Sequence, residues 1–235
     1  MRSISFVVPA YNEEKYLGPT LAAIHAAMKE VAQPYEIVVA NDASSDGTAA
    51  LAERNGARVV TAEKRQIAGT RNSGARASTG DVLIFVDADT QVNAPLIAAA
   101  LAAMRGGAVG GGAPVQFEEG PPWVRRMLVV FVPLYFGMAR WAAGCFIFCT
   151  RAAYEATGGF DETLYASEEI WFSRALKKLG PFVILKERVT TSARKTEGQT
   201  AWSMLWMTLR LTAGGIGSLK KRDGRVAEFW YPDKR

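Results

Sequence analysis

The chain has two cysteines, Cys145 and Cys149, and one histidine, His25, among 235 residues. That is too few for a structural zinc site or a disulfide framework. Both cysteines sit in an apolar stretch and are expected to be reduced core residues. No Gly-x-Gly-x-x-Gly follows the first apolar run, which argues against a dinucleotide dehydrogenase. A nucleotidyltransferase would carry a glycine-rich, basic phosphate loop at the same place. The segment Pro9 to Glu14 (PAYNEE) has neither glycine nor net positive charge, so that alternative is the weaker one. No apolar run reaches the ~20 residues that a membrane span requires. The longest, Met127 to Ala139, contains Pro133 and Gly137 and stops at Arg140. The opening run Ile4 to Val8 is short and soon meets Pro9, Glu13 and Glu14, so a signal peptide is not expected. Internal repeats and low-complexity tracts are absent too.

What is present is an ordinary globular composition, 49% hydrophobic and 22% charged, able to bury a core. The net charge of +5 is unevenly placed: the excess of lysine and arginine lies from Lys186 onward, behind a nearly neutral body. A basic tail suits an anionic partner such as phosphate, lipid head groups or nucleic acid, unless it is simply solvated.

The first 105 residues alternate between two periods. Apolar runs Ile4 to Val8, Tyr35 to Ala40, Ala57 to Thr61 and Asp81 to Val86 predict four strands. Between them lie helical patterns: Glu13 to Val31, Asp46 to Arg54, Gln66 to Ser78, and a last one through Leu96, Ile97, Ala100, Leu101 and Met104. Short links between such elements predict an α/β fold, a mainly parallel central sheet flanked by helices. Ligands in such folds bind beyond the carboxyl ends of the strands. Three polar clusters fall there: Tyr11-Asn12-Glu13, Asn41-Asp42, and Asp87 to Thr90. After residue 105 the alternation fails. Gly106 to Gly112 is expected to form turns beside a closely packed strand, Cys145 to Thr150 another strand, and Glu168 to Leu179 a helix. Trp202 to Ile216 carries a late apolar helical stripe. The whole is expected to be one domain, residues 1–235: a nucleotide-binding half (1–105), a mixed acceptor-binding half (106–185) and a basic, apolar-helix extension (186–235).

Asp87 and Asp89 are the candidate metal ligands. In extended backbone, side chains at i and i+2 point the same way, and two adjacent carboxylates suit a hard cation such as Mg²⁺ or Mn²⁺. Asp42 can accept hydrogen bonds from a base or ribose, or else form an Asx turn that leads to a helix cap. Asp46 is the better cap, which leaves Asp42 for function. Arg71 could meet phosphate or a base carbonyl, though a single arginine on a helix face is usually solvated. Glu168 and Glu169 point about 100° apart on a helix, so one suits a general base and the other a cap or a solvated group.

PAYNEE (9–14), NDASSDGT (41–48), TRNSGARASTGD (70–81), FVDADT (85–90), and GGFDE (158–162) followed by SEEIWFSRALKKLG (167–180) occur in an order and spacing that resembles the family 2 glycosyltransferases, which have the GT-A fold. The resemblance covers roughly residues 3 to 180. It implies that Pro9, Tyr11 and Glu13 line a nucleotide pocket and that Asp42 and Arg71 read the base, commonly uracil. It implies further that Asp87 contacts the ribose or the metal-bound diphosphate and that Asp89 is the metal ligand. The family's catalytic base is the second member of an acidic pair, usually Glu-Asp. Here the pair is Glu168-Glu169, so Glu169 is the expected base and is one methylene longer than the family's Asp. Arg194 and Lys195 are expected to assist the leaving group. The implied activity is inverting transfer from a nucleotide-sugar donor, a UDP-sugar, to an acceptor hydroxyl, with Mn²⁺ or Mg²⁺ as cofactor. The rival is a non-catalytic nucleotide-sugar binder. No nucleic-acid partner is expected, because the strand ends are acidic. The apolar segments 127–149 and 202–219 beside a basic C-terminus allow a membrane-surface patch that reaches a lipid-linked or apolar acceptor. They equally allow buried core or a homodimer face. The expected location is cytoplasmic, with peripheral contact at the inner face of the membrane as the companion of the patch.

Overall fold

The structure, a computed structural model, describes residues 3–117, 142–165 and 167–192. Strand β1 (Ile4–Ala10) is buried at every position, because it lies between β2 (Tyr35–Asn41) and β4 (Val82–Val86) and is covered on both faces. A strand in that position needs apolar residues without interruption, which is why the sequence shows a run there and not an alternation. With β3 (Arg58–Thr61) these form the parallel part of a seven-stranded sheet in the order β3-β2-β1-β4-β8-β6-β9. β6 (Gly110–Gly112) and β9 (Phe182–Ile184) run parallel to each other, and β8 (Phe146–Thr150) runs against both of its neighbours, β4 and β6. A small second sheet joins β5 (Thr90–Gln91), β10 (Val189–Thr191) and β7 (Val115–Phe117) in the order β5-β10-β7. The mainly parallel, helix-flanked central sheet expected from the sequence is therefore what the chain forms.

Successive residues of the central strands feed two separate cores. Phe6, Val8, Ile84 and Val86 face helices α1 (Glu14–Val31), α2 (Thr48–Arg54) and α4 (Ala94–Arg105). Val7, Leu83 and Phe85 face α3 (Ile67–Ala77), α5 (Arg151–Thr157) and α6 (Glu168–Leu179). Two of these helices carry a charged residue within their core-facing stripe. On α6, Glu168 lies in register with buried Phe172 and Leu176, one and two turns on. On α3, Arg71 sits between buried Ala68 and Ala75.

The glycine-rich stretch holds its strand through close contact. A Cβ on Gly111 would come within 2.5 Å of the Phe148 ring and 2.1 Å of the Val183 carbonyl oxygen, distances no side chain tolerates. Cys149 is fully buried in the second core and Cys145 is partly buried, as expected of core cysteines. Residues 146–149, for which the sequence leaves a membrane-facing patch, a dimer face or buried core open, are a fully buried sheet strand, within the strand expected at Cys145 to Thr150. Residues 127–141 and 202–219 lie outside the described residues. Among the described residues no helix is long and apolar enough to cross a membrane.

Candidate active site

The loops after β1 and β2 are stitched together. The Asn12 N–H donates to Ser44 Oγ at 3.0 Å, and the Ser45 N–H returns to Asn12 Oδ1 at 2.8 Å. The Glu13 N–H donates to Thr48 Oγ1 at 2.8 Å, and the Gly47 N–H to the Glu14 carboxylate at 3.0 Å. Asn12 and Ala43 adopt left-handed backbone at φ 52° and 58° to make these turns. Tyr11 and Glu13 are half-buried on this rim, whereas Pro9 is buried within β1, opposite Ala40 of β2. Asp46, suggested by the sequence as the cap of α2, stands one position before the helix's N-cap, Gly47, and accepts the Thr48 N–H at 3.1 Å in a turn that leads into the helix.

Asp42 is not the free carboxylate that the sequence suggests. It is 1% exposed, and its two oxygens accept the backbone N–H groups of Lys64 (2.6 Å), Arg65 (2.8 Å) and Gln66 (3.2 Å). It organises the loop that leads into α3, beside two more left-handed residues, Glu63 at φ 47° and Arg65 at φ 51°. Asp42 is thus a cap, for the loop one strand further along the chain.

The strand run ends at Val86, so Asp87 and Asp89 stand in a turn and not in the extended backbone assumed from their spacing. The Thr90 N–H closes the turn on the Asp87 carbonyl at 3.1 Å. Thr20 of α1 anchors it from below, its hydroxyl donating to the Ala88 carbonyl at 2.8 Å. From the small sheet, the Ser192 N–H donates to the Asp89 carbonyl at 3.2 Å, and Thr191 Oγ1 lies 3.4 Å from Asp89 Oδ1. Because β8 runs antiparallel to β4, its beginning lies beside the end of β4, and the Asp87 N–H donates to the Cys145 carbonyl at 3.2 Å. The preceding residue, Gly144, thereby reaches the rim.

Arg71 joins the pieces. It is 2% exposed; its Nη2 donates to Asp87 Oδ1 and to the Gly144 carbonyl, both at 2.9 Å, and its Nη1 donates to Glu168 Oε1 at 2.6 Å. The Phe160 ring lies 5.3 Å from the guanidinium carbon. Burial opposes the arginine's charge, but Asp87, Glu168 and Glu169 outweigh it and hold the guanidinium more firmly protonated. Arg71, which the resemblance assigns to the base and which a lone place on a helix face would leave solvated, is a buried residue. Glu168, expected as a cap or solvated group, is 5% exposed and ion-paired to it.

Glu169, the next residue, is pushed up to about 8 by burial first and then by the carboxylates of Glu168 and Asp87, against the opposing pull of its own N–H and Arg71. A Cβ on Gly144 would fall 3.3 Å from Arg71 Nη2 and 3.7 Å from the Glu169 carboxyl carbon, so this glycine lets both groups share one corner. The GGFDE loop fixes where α6 begins. Asn72 Oδ1 accepts the Phe160 N–H at 2.9 Å, its Nδ2 donates to the Phe160 carbonyl at 2.8 Å, and Gln66 Nε2 donates to the Leu164 carbonyl at 2.6 Å. The structural roles of Asn72 and Gln66 were not read from the sequence. A buried helix stripe that contains amides is the signal for them.

Among the described residues no group of three or more acids, histidines or cysteines is arranged to hold a metal by itself. Two carboxylates on one turn instead fit a Mg²⁺- or Mn²⁺-type site that substrate phosphates and water complete. Arg194 and Lys195 lie outside the described residues, and Ser192 two positions before Arg194 is the last one described.

Comparison with known proteins bears on the fold and the family. The family model described as "Glycosyl transferase family 2" matches residues 5–158, which ends before Glu168 and Glu169. The undecaprenyl-phosphate 4-deoxy-4-formamido-L-arabinose transferase of Serratia proteamaculans is 36% identical over 98 residues, covering 39% of this chain and 30% of that protein. The chain thus spans under a third of that curated relative. A mannosyltransferase from Pyrobaculum calidifontis, solved with GDP-Man and Mn²⁺, superposes with a TM-score of 0.67 at 21% identity over 97% of this chain and 67% of its own. Glucosyl-3-phosphoglycerate synthase from Mycobacterium tuberculosis, solved with Mn²⁺, UDP and glucosyl-3-phosphoglycerate, gives 0.60 at 19% identity over 91% of this chain and 80% of its own. At these identities the solved structures speak for the fold, and the family model, matching well over half of the sequence, decides the rest: the chain belongs to glycosyl transferase family 2.

Proposed function

We propose that the protein transfers a sugar from a nucleoside-diphosphate donor, a UDP-sugar, to an acceptor oxygen with inversion. The observation that carries this reading is that a single buried arginine brings the Asp87–Asp89 turn and the Glu168–Glu169 helix start to one corner of the strand-end rim. In this reading Tyr11 and Glu13 border the nucleotide, with Pro9 beneath them. Asp42 shapes the neighbouring wall through the 64–66 loop, and Asp87 and Asp89 face the diphosphate. Asp89 and Asp87 would hold a Mn²⁺ or Mg²⁺ ion, which would neutralise charge on the departing diphosphate. Glu169 accepts the proton of an acceptor hydroxyl as its oxygen attacks the anomeric carbon. A carboxylate pushed up to about 8 is a stronger base than an ordinary one, which suits that task. Arg194 and Lys195 are proposed as cations for the leaving group.

A second reading concerns the acceptor. The Serratia relative is named for undecaprenyl phosphate, so a polyprenyl phosphate is the lipid acceptor to test first. A phosphate monoester, with its second pKa near ~6, is already ionised at neutral pH and needs no base. Such an acceptor would bring the protein to the inner face of the membrane as a peripheral enzyme.

A thermal-shift screen of UDP, GDP, ADP, CDP and dTDP, each with and without Mn²⁺, tests the donor reading. A Mn²⁺-dependent rise with UDP above the others is expected, and no shift with any of them sinks the reading. Transfer to a polyprenol and to a polyprenyl phosphate then separates the acceptors.

A further inference from the structure

Resting on that reading of the site, we propose that Arg71 and Glu168 are positioning residues: the buried Asp87–Arg71–Glu168 relay locks the aspartate turn to the first turn of α6, so that the groups for diphosphate and acceptor are held in one frame.

The three groups come from three elements that no strand pairing connects directly. Asp87 is in the turn after β4, Arg71 is in the middle of α3, and Glu168 is the first residue of α6. Arg71 reaches both carboxylates and the Gly144 carbonyl with two nitrogens of one planar fork. A lysine ammonium, a single point on a flexible stem, cannot reproduce contacts that diverge in that way. The guanidinium is buried, its Nε has no hydrogen-bond partner among the described residues, and Phe160 covers one face. A buried ion triad of this kind gives little net stability, because desolvation offsets most of the Coulomb attraction. What it does supply is geometry: Asp87 cannot move without Arg71, nor Arg71 without Glu168 and the helix that carries Glu169. Loss of the Glu168 charge would remove one of the two carboxylates ion-paired to Arg71, drawing Asp87 more firmly to the guanidinium and away from a cation.

The test is calorimetric titration of Mn²⁺ with UDP into the wild type, Glu168→Gln and Glu168→Asp. Glu36→Gln, at the opposite edge of the sheet, serves as a control for general destabilisation. Glu168 lies on α6 and is not proposed to touch the nucleotide. Glu168→Gln is nevertheless expected to weaken Mn²⁺-dependent UDP binding about tenfold, a coupling of the size found within shared networks. Glu168→Asp keeps the charge and is expected to fold with a smaller loss, which covers the case in which Glu168→Gln does not fold. Glu36→Gln is expected to lower the melting temperature and leave binding unchanged. Unaltered binding in both Glu168 variants, or an equal loss in Glu36→Gln, overturns the relay. A wild type that binds none of the five nucleoside diphosphates overturns the donor reading first, and the relay with it.

Discussion

Glu36, near the amino end of β2, and Glu169, in the first turn of α6 beside the carboxyl ends of the strands, mark two opposite edges of the fold and lie in opposite electrostatic conditions. Glu36, near the start of β2, receives the Ser5 hydroxyl at 2.7 Å, the Thr79 hydroxyl at 2.9 Å, the Thr79 N–H and the Arg58 guanidinium at 2.9 Å. Burial alone would raise its pKa, but these donors hold it at about 2. Glu169, at the strand-end rim, has carboxylates for neighbours and is held at about 8. The lower edge satisfies its acid completely and joins β1, β2, β3 and the turn before β4. The upper edge leaves its acid hard to ionise beside an open rim. Strained ionisation gathered at one edge, with complete satisfaction at the other, is how a scaffold separates stability from chemistry.

The largest test of that contrast is Glu169→Gln. It is expected to lower transfer to a hydroxyl acceptor by roughly 10²–10⁴-fold with nucleotide binding retained, as measured by steady-state turnover and calorimetry. Undiminished turnover with a hydroxyl acceptor removes Glu169 from the role; undiminished turnover only with a phosphate acceptor selects the phosphate. Asp89→Ala is expected to weaken Mn²⁺-dependent UDP binding by roughly a hundredfold, about 2.7 kcal/mol, and a titration curve matching the wild type refutes it.

The pH responses of the two edges should oppose each other. Native Glu169 keeps its proton longer than the unfolded chain does, so its contribution to stability falls as pH rises from about 4.5 to about 8. Melting curves should show Glu169→Gln gaining on the wild type across that window, by a few degrees at the upper end. Glu36 gives up its proton earlier than the unfolded chain. Its stabilisation is present above about 4.5 and is lost as pH falls towards about 2. The smallest effect expected is from Glu36→Gln, about 1–2 kcal/mol of stability at pH 7 with turnover unchanged. Chemical denaturation at pH 7 and near pH 2 measures it, and a loss that persists undiminished at the lower pH contradicts the assignment.

The first half of the fold is legible in the sequence because its signals are strong. Buried parallel strands need uninterrupted apolar runs, and α1 repeats Leu17, Leu21, Ile24 and Met28 at helical spacing. The small sheet is not legible, since β5 has two residues and β7 and β10 three each, too short for any period to show. β6 has no side chains at all, and its pairing is set by what crowds against it. In the site, the structure brings Arg71, Asp87, Glu168 and Glu169 together, but in surroundings the sequence does not suggest. Glu168 occupies the same stripe as Phe172 and Leu176, and Arg71 the same stripe as Ala68 and Ala75. Both follow the helix period into the core, and each buried charge implied the other. Their charge suggests solvent, but their position in the repeat decides where they go.

The loop at Asp42 discriminates between two side chains of nearly the same shape. Three backbone hydrogens, from Lys64, Arg65 and Gln66, point at its two oxygens. Ionised aspartate offers only lone pairs to them. Asparagine would replace one oxygen with an amino group whose hydrogens face other hydrogens, and rotating the amide merely moves the conflict to the other side. An isosteric exchange at this position therefore reverses the polarity of a contact without changing its size, and the way into α3, on which Arg71 rides, depends on that polarity.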